Sequence, residues 1–479
     1  MASTLQVDGV ATFTGRDIHN GGITIANAGQ IGSVGDTDAI AIASDGVVTL
    51  TQKLVGTELD ISGNIDIDGT TETDVLTING SQFNYKTFGT SSFMIGDTTT
   101  GTIDAANYNT GVGVDVFAAL TSGDLNTAIG FSTLTANTTG GQNSALGSRV
   151  LPANTEGNGN VGVGEATLFT NTTGDYNIGI GLGALQNSNS DDNVAIGYRA
   201  MHNVSSGTDG VAIGSDSLFT VTSGNNNVGI GHHALRLNSA SDNTAVGYGA
   251  LKTNSSGTRN TAVGFSALDA VDTTNDHTAV GYNALTACTS GGANTAVGTA
   301  AADAVTSGDD NTAMGHLALS AATTTDENTA IGSGAMRYST GATNTAIGKS
   351  ALGASSNSGD NNTIVGAGAG ISLTSASNNT CIGKGAGNNQ ITGGQNVFVG
   401  ENARGSAVDT NASIAIGYNV VGVGNFYVTL GSGAGSDRIY NQFDTNASWT
   451  RVSDLRYKEE IANNTDCGLS FINDLRPVT

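Results

Sequence analysis

Proline and aromatic residues are scarce in this chain of 479 residues, which has only 2 prolines and 5% aromatic side chains. The length would allow several ordinary domains, but so few large side chains argue against a conventional globular core. With 70 glycines and so little proline, the composition fits neither a collagen-like helix nor a proline-rich linker. Charged residues, at 12%, are too few for a typical disordered chain. Small and β-branched residues dominate instead, and they suit closely wound β-structure.

Positive charge is also scarce, since 17 lysines and arginines face 41 acidic residues and give a net charge of −24. Such acidity keeps copies of a long particle soluble and disfavours nucleic acid or an anionic membrane as a partner. The segment that begins at Met1 lacks the basic and apolar regions of a secretory signal. No apolar stretch is long enough to cross a bilayer, so we expect no membrane insertion.

The cysteines Cys288, Cys381 and Cys467 are far apart and odd in number, so they predict no disulfide framework. We interpret them as small apolar residues of a protein made in a reducing cytoplasm.

An internal repeat dominates the sequence. The pentapeptide Asn-Thr-Ala-Ile-Gly recurs with variants, and successive glycines are 17 residues apart, with occasional steps of 16 or 18. The repeat glycines are Gly96, Gly113, Gly130, Gly147, Gly164, Gly181, Gly197, Gly214, Gly231, Gly247, Gly264, Gly281, Gly298, Gly315, Gly332, Gly348, Gly366, Gly383, Gly400 and Gly417.

Aligned repeats define columns of equivalent residues. In the repeat that ends at Gly264, Thr261 and Val263 lie two residues apart and share one face of a strand. We predict that this face, occupied by Thr, Val or Ile in most repeats, points inward. The intervening Ala262 is small, which suits close approach of a second wall or of a neighbouring chain. Asn260, the first residue of this pentapeptide, belongs to a column of asparagines that can stack into a hydrogen-bonded ladder.

A further apolar column lies four residues after the glycine, and we expect it to fill the other side of each coil. Its members are Leu134, Leu168, Leu185, Met201, Leu218, Leu235, Leu251, Leu268, Leu285, Leu319, Met336 and Leu352. Between coils, segments such as 306–311 and 357–362 are rich in Gly, Asn and Asp, which tolerate the positive φ of turns.

These columns predict an all-β fold, a parallel β-solenoid with 17-residue coils. A unit this short buries its apolar side only by stacking on its neighbours. Twenty rungs would form a rod of about 95 Å at about 4.8 Å per rung. Such a thin rod would be marginally stable alone, so we predict a homotrimer that buries the Ala and Gly faces and removes exposed edges.

The Asn-Thr-Ala-Ile-Gly units, over residues 92–420, resemble the head repeats of YadA-like trimeric autotransporter adhesins. That family forms a left-handed parallel β-roll, so the resemblance implies a left-handed solenoid here. The repeat is longer than the family's, which leaves a three-sided left-handed β-helix open. The chain lacks the adhesin's signal peptide and membrane anchor, which argues against a bacterial adhesin.

The two ends differ from the repeats. Short strands bounded by glycine at 59–63, 65–69 and 76–80 are similar in style to the N-terminal shafts of phage fibres. The segments 449–461 and 468–478 resemble the start of the intramolecular chaperone domain of endosialidases, phage tailspikes and neck appendages. In that family the domain trimerises, guides folding of the upstream β-structure and then cleaves itself off.

The resemblance implies a cut between Val452 and Ser453, with Ser453 and Lys458 matching the family's Ser/Lys dyad in type and spacing. A lysine serves as the base only if burial or a nearby cation such as Arg456 lowers its pKa. Alternatively, Ser453 is the N-cap of a short helix over 454–463. The family's domain continues well past the position of Thr479, so we expect the chaperone to be truncated here.

Other patterns are interpreted as structural. The glycine-rich segment 179–183 recurs in variants along the coils, so it predicts no dinucleotide site. His232, His233, His277 and His316 lie in different coils without regular register, so we expect no metal site and no cofactor. Acidic pairs such as Asp309 and Asp310 are expected to be solvated turn residues.

Four regions follow: an N-terminal shaft for virion attachment (1–90), the β-solenoid (91–420), a C-terminal β shaft (421–452) and a truncated chaperone with a short helical segment (453–479). The resemblances imply a structural bacteriophage tail fibre, assembled in the host cytoplasm and carried on the virion. Its expected partners are two further copies, tail or baseplate proteins, and a host-surface glycan or protein. The alternative is a tailspike depolymerase, which would need paired carboxylates in an aromatic groove. If the chain is a structural fibre and not a depolymerase, self-cleavage before Ser453 would be its only catalytic event.

Overall fold

The computed structural model describes residues 30–33, 36–42, 48–50, 76–78, 81–83, 85–88, 90–96, 105–353, 356–443 and 450–451. The chain divides into two compact units, Met1–Asp74 and Val75–Thr479. All regular elements among the described residues are β-strands. No described helix is long and apolar enough to cross a membrane.

In chain order the strands are β1 (Gln30–Ser33), β2 (Asp36–Ile42), β3 (Val48–Leu50), β4 (Leu76–Ile78), β5 (Ser81–Phe83), β6 (Tyr85–Phe88), β7 (Ser92–Gly96), β8 (Thr110–Gly113), β9 (Thr127–Ile129), β10 (Ser144–Leu146), β11 (Val161–Val163), β12 (Ile178–Ile180), β13 (Val194–Ile196), β14 (Asn203–Val204), β15 (Val211–Ile213), β16 (Thr220–Val221), β17 (Val228–Ile230), β18 (Thr244–Val246), β19 (Thr261–Val263), β20 (Thr278–Val280), β21 (Thr295–Val297), β22 (Thr312–Met314), β23 (Thr329–Ile331), β24 (Thr345–Ile347), β25 (Thr363–Val365), β26 (Thr380–Ile382), β27 (Val397–Val399), β28 (Ile414–Ile416), β29 (Tyr427–Gly431), β30 (Arg438–Gln442) and β31 (Thr450–Arg451).

The second unit is a parallel β-solenoid of about nineteen turns, as the repeat predicts. Each three-residue strand pairs in register with its equivalent one coil away, so that Ala262 lies between Ala245 and Ala279. Backbone hydrogen bonds join the coils, for example from the Thr261 amide to the His277 carbonyl at 2.8 Å. The short parallel pair β14 and β16 adds a second ladder on another side of the coil.

Antiparallel strands cover both ends of this ladder. At the first coil β6 pairs antiparallel with β7, and at the last coil β29 turns back into β30, which pairs with β31. The unpaired edges of a solenoid invite association with other strands, so these additions act as caps. The predicted strand at 76–80 corresponds to β4, whereas those at 59–63 and 65–69 lie outside the described residues.

The inward and outward columns are reversed relative to the sequence prediction. Ala262 is fully buried, whereas Thr261 and Val263 are half-exposed, and most coils repeat this pattern. The alanine faces a second wall, where the fully buried Ala267 and Leu268 enter the same interior. The gap between the two walls admits a methyl group opposite the leucine, so the branched residues are on the outside. The prediction that they point inward was wrong.

The leucine column and the asparagine ladder are confirmed. All the leucines and methionines predicted four residues after a glycine are buried. In the ladder, the Asn260 amide donates to Asn243 Oδ1 at 3.0 Å, and the Asn260 side-chain amide donates to the Thr274 carbonyl of the next coil at 2.9 Å. The ladder therefore joins each strand to the turn that leads into the next one.

The repeat glycine is required by the backbone. Its φ lies between 121° and 144° in every coil from Gly96 to Gly431, a region that L-residues rarely adopt. A Cβ on Gly264 would also overlap the carbonyl oxygen of Gly281. Less expectedly, the leucine column also has positive φ, for example 54° at Leu268. The stacked coils hold this strained conformation because leucine burial and the ladders on either side fix it.

Candidate functional surface

The residues that sequence reasoning placed at a cleavage site, Val452, Ser453 and Lys458, lie outside the described residues. The last described strand, β31, ends one residue before Val452. The Ser/Lys dyad and the cut therefore stay predictions.

Aromatic rings form a ladder on one edge of the solenoid. They occupy the position directly after the repeat glycine, where the strand ends and the side chain points to solvent. We call His232, Tyr248, Phe265 and Tyr282, on four consecutive coils, the ring ladder. Neighbouring ring centres are 5.3, 5.1 and 5.3 Å apart, and the planes are within 14° of parallel. Such near-parallel stacking is favourable when the rings are offset.

Three arginine and lysine side chains lie beside the first rung of this ladder. We call Arg199, Arg236 and Lys252 the cationic cluster. The guanidinium carbon of Arg199 lies 4.3 Å from the ring centre of Phe219, and that of Arg236 lies 5.5 Å from the same ring. Both distances are within the range of cation–π attraction.

His233 connects the cationic cluster to the ring ladder. Its ring centre is 3.7 Å from that of His232, and its Nε2 lies 3.6 Å from a carboxylate oxygen of Asp216. Burial lowers the pKa of His233, and the nearby His232, Arg236 and Lys252 lower it further, while Asp216 opposes them. A second carboxylate, Asp269, lies near Lys252, and burial raises its pKa.

The acidic turns also connect neighbouring coils, a role that the sequence did not reveal. Asp309 Oδ1 accepts a hydrogen bond from the Gly292 amide of the preceding coil at 2.6 Å, and Asp326 Oδ1 accepts one from the Asp309 amide at 2.9 Å. These side chains are exposed as predicted, but they also join neighbouring coils. The shallow groove beside them, between Thr273 and Asp310, is lined by Thr, Asn, Asp, Ser, Gly and Ala, without an aromatic side chain.

Of the four histidines predicted not to form a metal site, His232 and His233 are neighbours, with ring centres 3.7 Å apart. Within the described part of the chain, no group of three or more His, Cys, Asp or Glu side chains could hold a metal ion. Cys288 and Cys381 are buried free thiols, and burial raises their pKa to about 11 and about 12. Both match the expected small apolar residues, while Cys467 lies outside the described residues.

Sequence reasoning missed the ring ladder and the cationic cluster. The signal was available in the column after the glycine, which holds Tyr198, His232, Tyr248, Phe265 and Tyr282 within six coils. Aromatic side chains elsewhere in that column, such as Tyr418, are isolated along the sequence. Only the in-register parallel pairing brings the clustered rings into contact.

Comparison of the chain with protein-family models, with curated proteins and with solved structures found no match.

Proposed function

We propose that this chain is a structural fibre of the bacteriophage tail-fibre type that attaches a virion to a host surface. The observation that supports it best is the uninterrupted parallel pairing from β7 to β29, which makes a long, regular support. Three hydrogen-bonding systems reinforce it: the strand backbones, the asparagine ladder and the acidic turns. A long and regular support of this kind suits attachment to a surface better than enzymatic turnover of a substrate.

The alanine column, which was expected to be buried between subunits, is buried inside each coil. The fibre is therefore proposed to be a homotrimer whose subunits meet along the strand face instead. The residues one and three positions before each repeat glycine form two half-exposed columns, which we call the apolar stripe. From Thr110 to Ile416 these columns hold only Thr, Ser, Val, Ile, Leu or Met, without a charge. The column directly before the glycine is Val, Ile, Leu or Met in every one of these coils, and monomeric proteins rarely leave so long an apolar row open to water. Further copies of this acidic chain can pack there without bringing like charges together.

The depolymerase alternative has less support. Its reaction needs two carboxylates beside a sugar bound on aromatic rings. Among the described residues, the acidic turns that line the groove bond to backbone amides. The two carboxylates near the ring ladder are next to cations instead: Asp216 beside Arg199 and His233, and Asp269 near Lys252.

Electron microscopy of intact virions with a labelled antibody against this chain tests the proposal. We expect the label on slender tail appendages. Label on the capsid, or on no part of the particle, would contradict a tail fibre.

A further inference from the structure

The ring ladder presents partly uncovered aromatic faces to solvent. Tyr248, Phe265 and Tyr282 are 50%, 45% and 54% exposed although they stack on one another. Rings in full face-to-face contact would have centres about 3.5 to 4 Å apart, so neighbouring rings with centres 5.1 to 5.3 Å apart do not cover each other's faces completely. Each ring thus leaves part of a face open.

Ring faces that are partly open to solvent suit a chain of sugars. The C–H bonds on one side of a pyranose carry a slight positive charge, which the negative face of an aromatic ring attracts. A linear polysaccharide lying along the solenoid would meet one ring in each coil. Because every coil repeats the same geometry, the site is extended rather than a closed pocket.

The cationic cluster provides charge at one end of the ladder. Two carboxylates lie among its three cations, in a chain whose net charge is −24: Asp216 is 3.7 Å from Arg199 Nε, and Asp269 is near Lys252. Arg236 Nε is buried and has no hydrogen-bond partner among the described residues. Among the described residues no carboxylate lies within salt-bridge distance of Arg236, so its guanidinium can still pair with an anionic ligand.

We propose that the ring ladder and the cationic cluster together bind an acidic polysaccharide, whose sugar rings stack on Tyr248, Phe265 and Tyr282 while a carboxylate pairs with Arg236. Single-stranded nucleic acid also combines rings and negative charge. It carries a phosphate at every nucleotide, however, and the acidic chain would repel so dense a polyanion. A polysaccharide with one carboxylate per repeating unit fits the small number of cations better.

This inference rests on the proposed attachment function, because it names the chemistry of the surface that the fibre would recognise. The two can fail separately. A chain found on tail fibres that binds no acidic glycan keeps the function and loses the site. A chain that binds the glycan but is absent from the virion tail keeps the site and loses the function.

Binding of the full chain to hyaluronate and polysialate oligomers, with dextran and oligo-dT as comparisons, tests the site by isothermal titration calorimetry. We expect the acidic glycans to bind more tightly than dextran, and added salt to weaken that preference. Phe265→Ser with Tyr282→Ser should reduce affinity about tenfold or more, if a stacked sugar contributes as much as a stacked base. Ser215 and Ser333 occupy the same column naturally, so the fold should tolerate serine there.

Arg236→Gln removes the positive charge and so measures the electrostatic contribution to glycan binding. Gln186 occupies the equivalent position of another coil, so the fold should tolerate glutamine there. We expect a roughly two- to fivefold loss for the acidic glycans and none for dextran. Matched controls are Arg337→Gln, in the same column several coils away, and Tyr418→Ser, in the ring column. Neither should alter binding.

The proposal is overturned if neither acidic glycan binds, if the controls lose as much affinity as the site variants, or if oligo-dT binds as tightly as the glycans. It is also overturned if Phe265→Ser with Tyr282→Ser dissociates the oligomer, because the rings would then be a subunit interface.

Discussion

His277 occupies a position of the ladder that asparagine fills in most other coils. The Asn294 amide donates to His277 Nδ1 at 3.2 Å, where an asparagine would accept with Oδ1. This bond places the ring proton on Nε2, which lies 2.9 Å from Thr274 Oγ1. A neutral imidazole thus reproduces both roles of the asparagine amide. Protonation of Nδ1 would set two donors against each other.

Acidification is therefore expected to weaken the coil around His277. Burial lowers the pKa of His277 below the ordinary value of 6.5. As the pH falls through 6.5, the unfolded chain takes up the proton before the folded one, so stability falls. Above that pH the contribution of His277 is constant.

His277→Asn should reduce this acid sensitivity, because asparagine does not titrate and restores the regular ladder. Thermal midpoints of wild type and variant, compared between about pH 5 and about pH 8, measure the effect. We expect the two proteins to diverge at the acid end only. An equal loss of stability in both would show that other groups, such as the carboxylates, account for all of it.

At the scale of one coil, a larger side chain on one wall is matched by a smaller residue on the opposite wall. Ile364 and Cys381 replace the usual inward alanine, and the same coils have Gly370 and Gly387 in place of the leucine. A Cβ on Gly370 would approach Ile364 within 3.2 Å, and a Cβ on Gly387 would meet Cys381 Sγ at 2.5 Å. In these two coils the strand wall thus supplies the larger side chain and the opposite wall supplies the glycine.

This exchange predicts a coupled pair of substitutions in another coil. Ala262→Ile alone should overpack the interior and destabilise the coil by about 1 to 3 kcal/mol. Adding Leu268→Gly should recover part of that loss, because it removes the opposing side chain and relieves the positive φ. The double variant should be more stable than the two single effects added together, by about 0.5 to 3 kcal/mol.

Hydrogen exchange of the backbone amides in this coil and its two neighbours measures the coupling. Val263→Ile, which changes an outward residue of the same strand, is the matched control and should leave protection unchanged. Strictly additive effects of Ala262→Ile and Leu268→Gly would mean that the two walls do not share the same space.

For the whole molecule, the apolar stripe predicts how the oligomer can be dissociated. Ile213 is 37% exposed and Ile347 is 38% exposed, so lysine at both positions can reach solvent in an isolated subunit. In a trimer packed along the stripe, the same lysines would be buried without a partner and cost several kcal/mol. We expect the double variant to stay folded and become monomeric.

Native mass spectrometry and circular dichroism, used together, separate dissociation from unfolding. Leu237→Lys, the control, introduces one lysine at an exposed apolar residue away from the stripe, and it should leave the oligomer intact. A wild-type chain that is already monomeric would refute the homotrimer.

Processing at the C-terminal end is the second prediction at this scale. If the chain is expressed together with a complete chaperone domain, Ser453 should release the fibre by cutting after Val452. Ser453→Ala or Lys458→Ala should abolish the cut and leave folding intact. The intact mass of the product decides the question, since a released fibre would end at Val452. A wild-type product that retains 453–479 under these conditions would disprove the dyad.

The sequence alone determined the solenoid, its period, its asparagine ladder and its buried leucine column. A repeat of 17 residues with a strand, a glycine and a turn admits few arrangements other than stacked coils. The asparagine column was predictable because a polar residue that recurs at one position of most coils can be satisfied inside only by regular stacking. The leucine column was predictable because it is apolar in nearly every coil.

Only the tertiary structure decided which face of the strand is inside. An alternation of Thr, Ala and Val fits either orientation, because alanine is acceptable in a core and β-branched residues are common on strand surfaces. The leucine of the opposite wall settles the choice, since its volume leaves room for a methyl group alone. The ring ladder also depends on the tertiary structure. Side chains after the glycine meet because parallel coils are about 4.8 Å apart in exact register, a proximity of residues 16 or 17 positions apart that no local pattern shows.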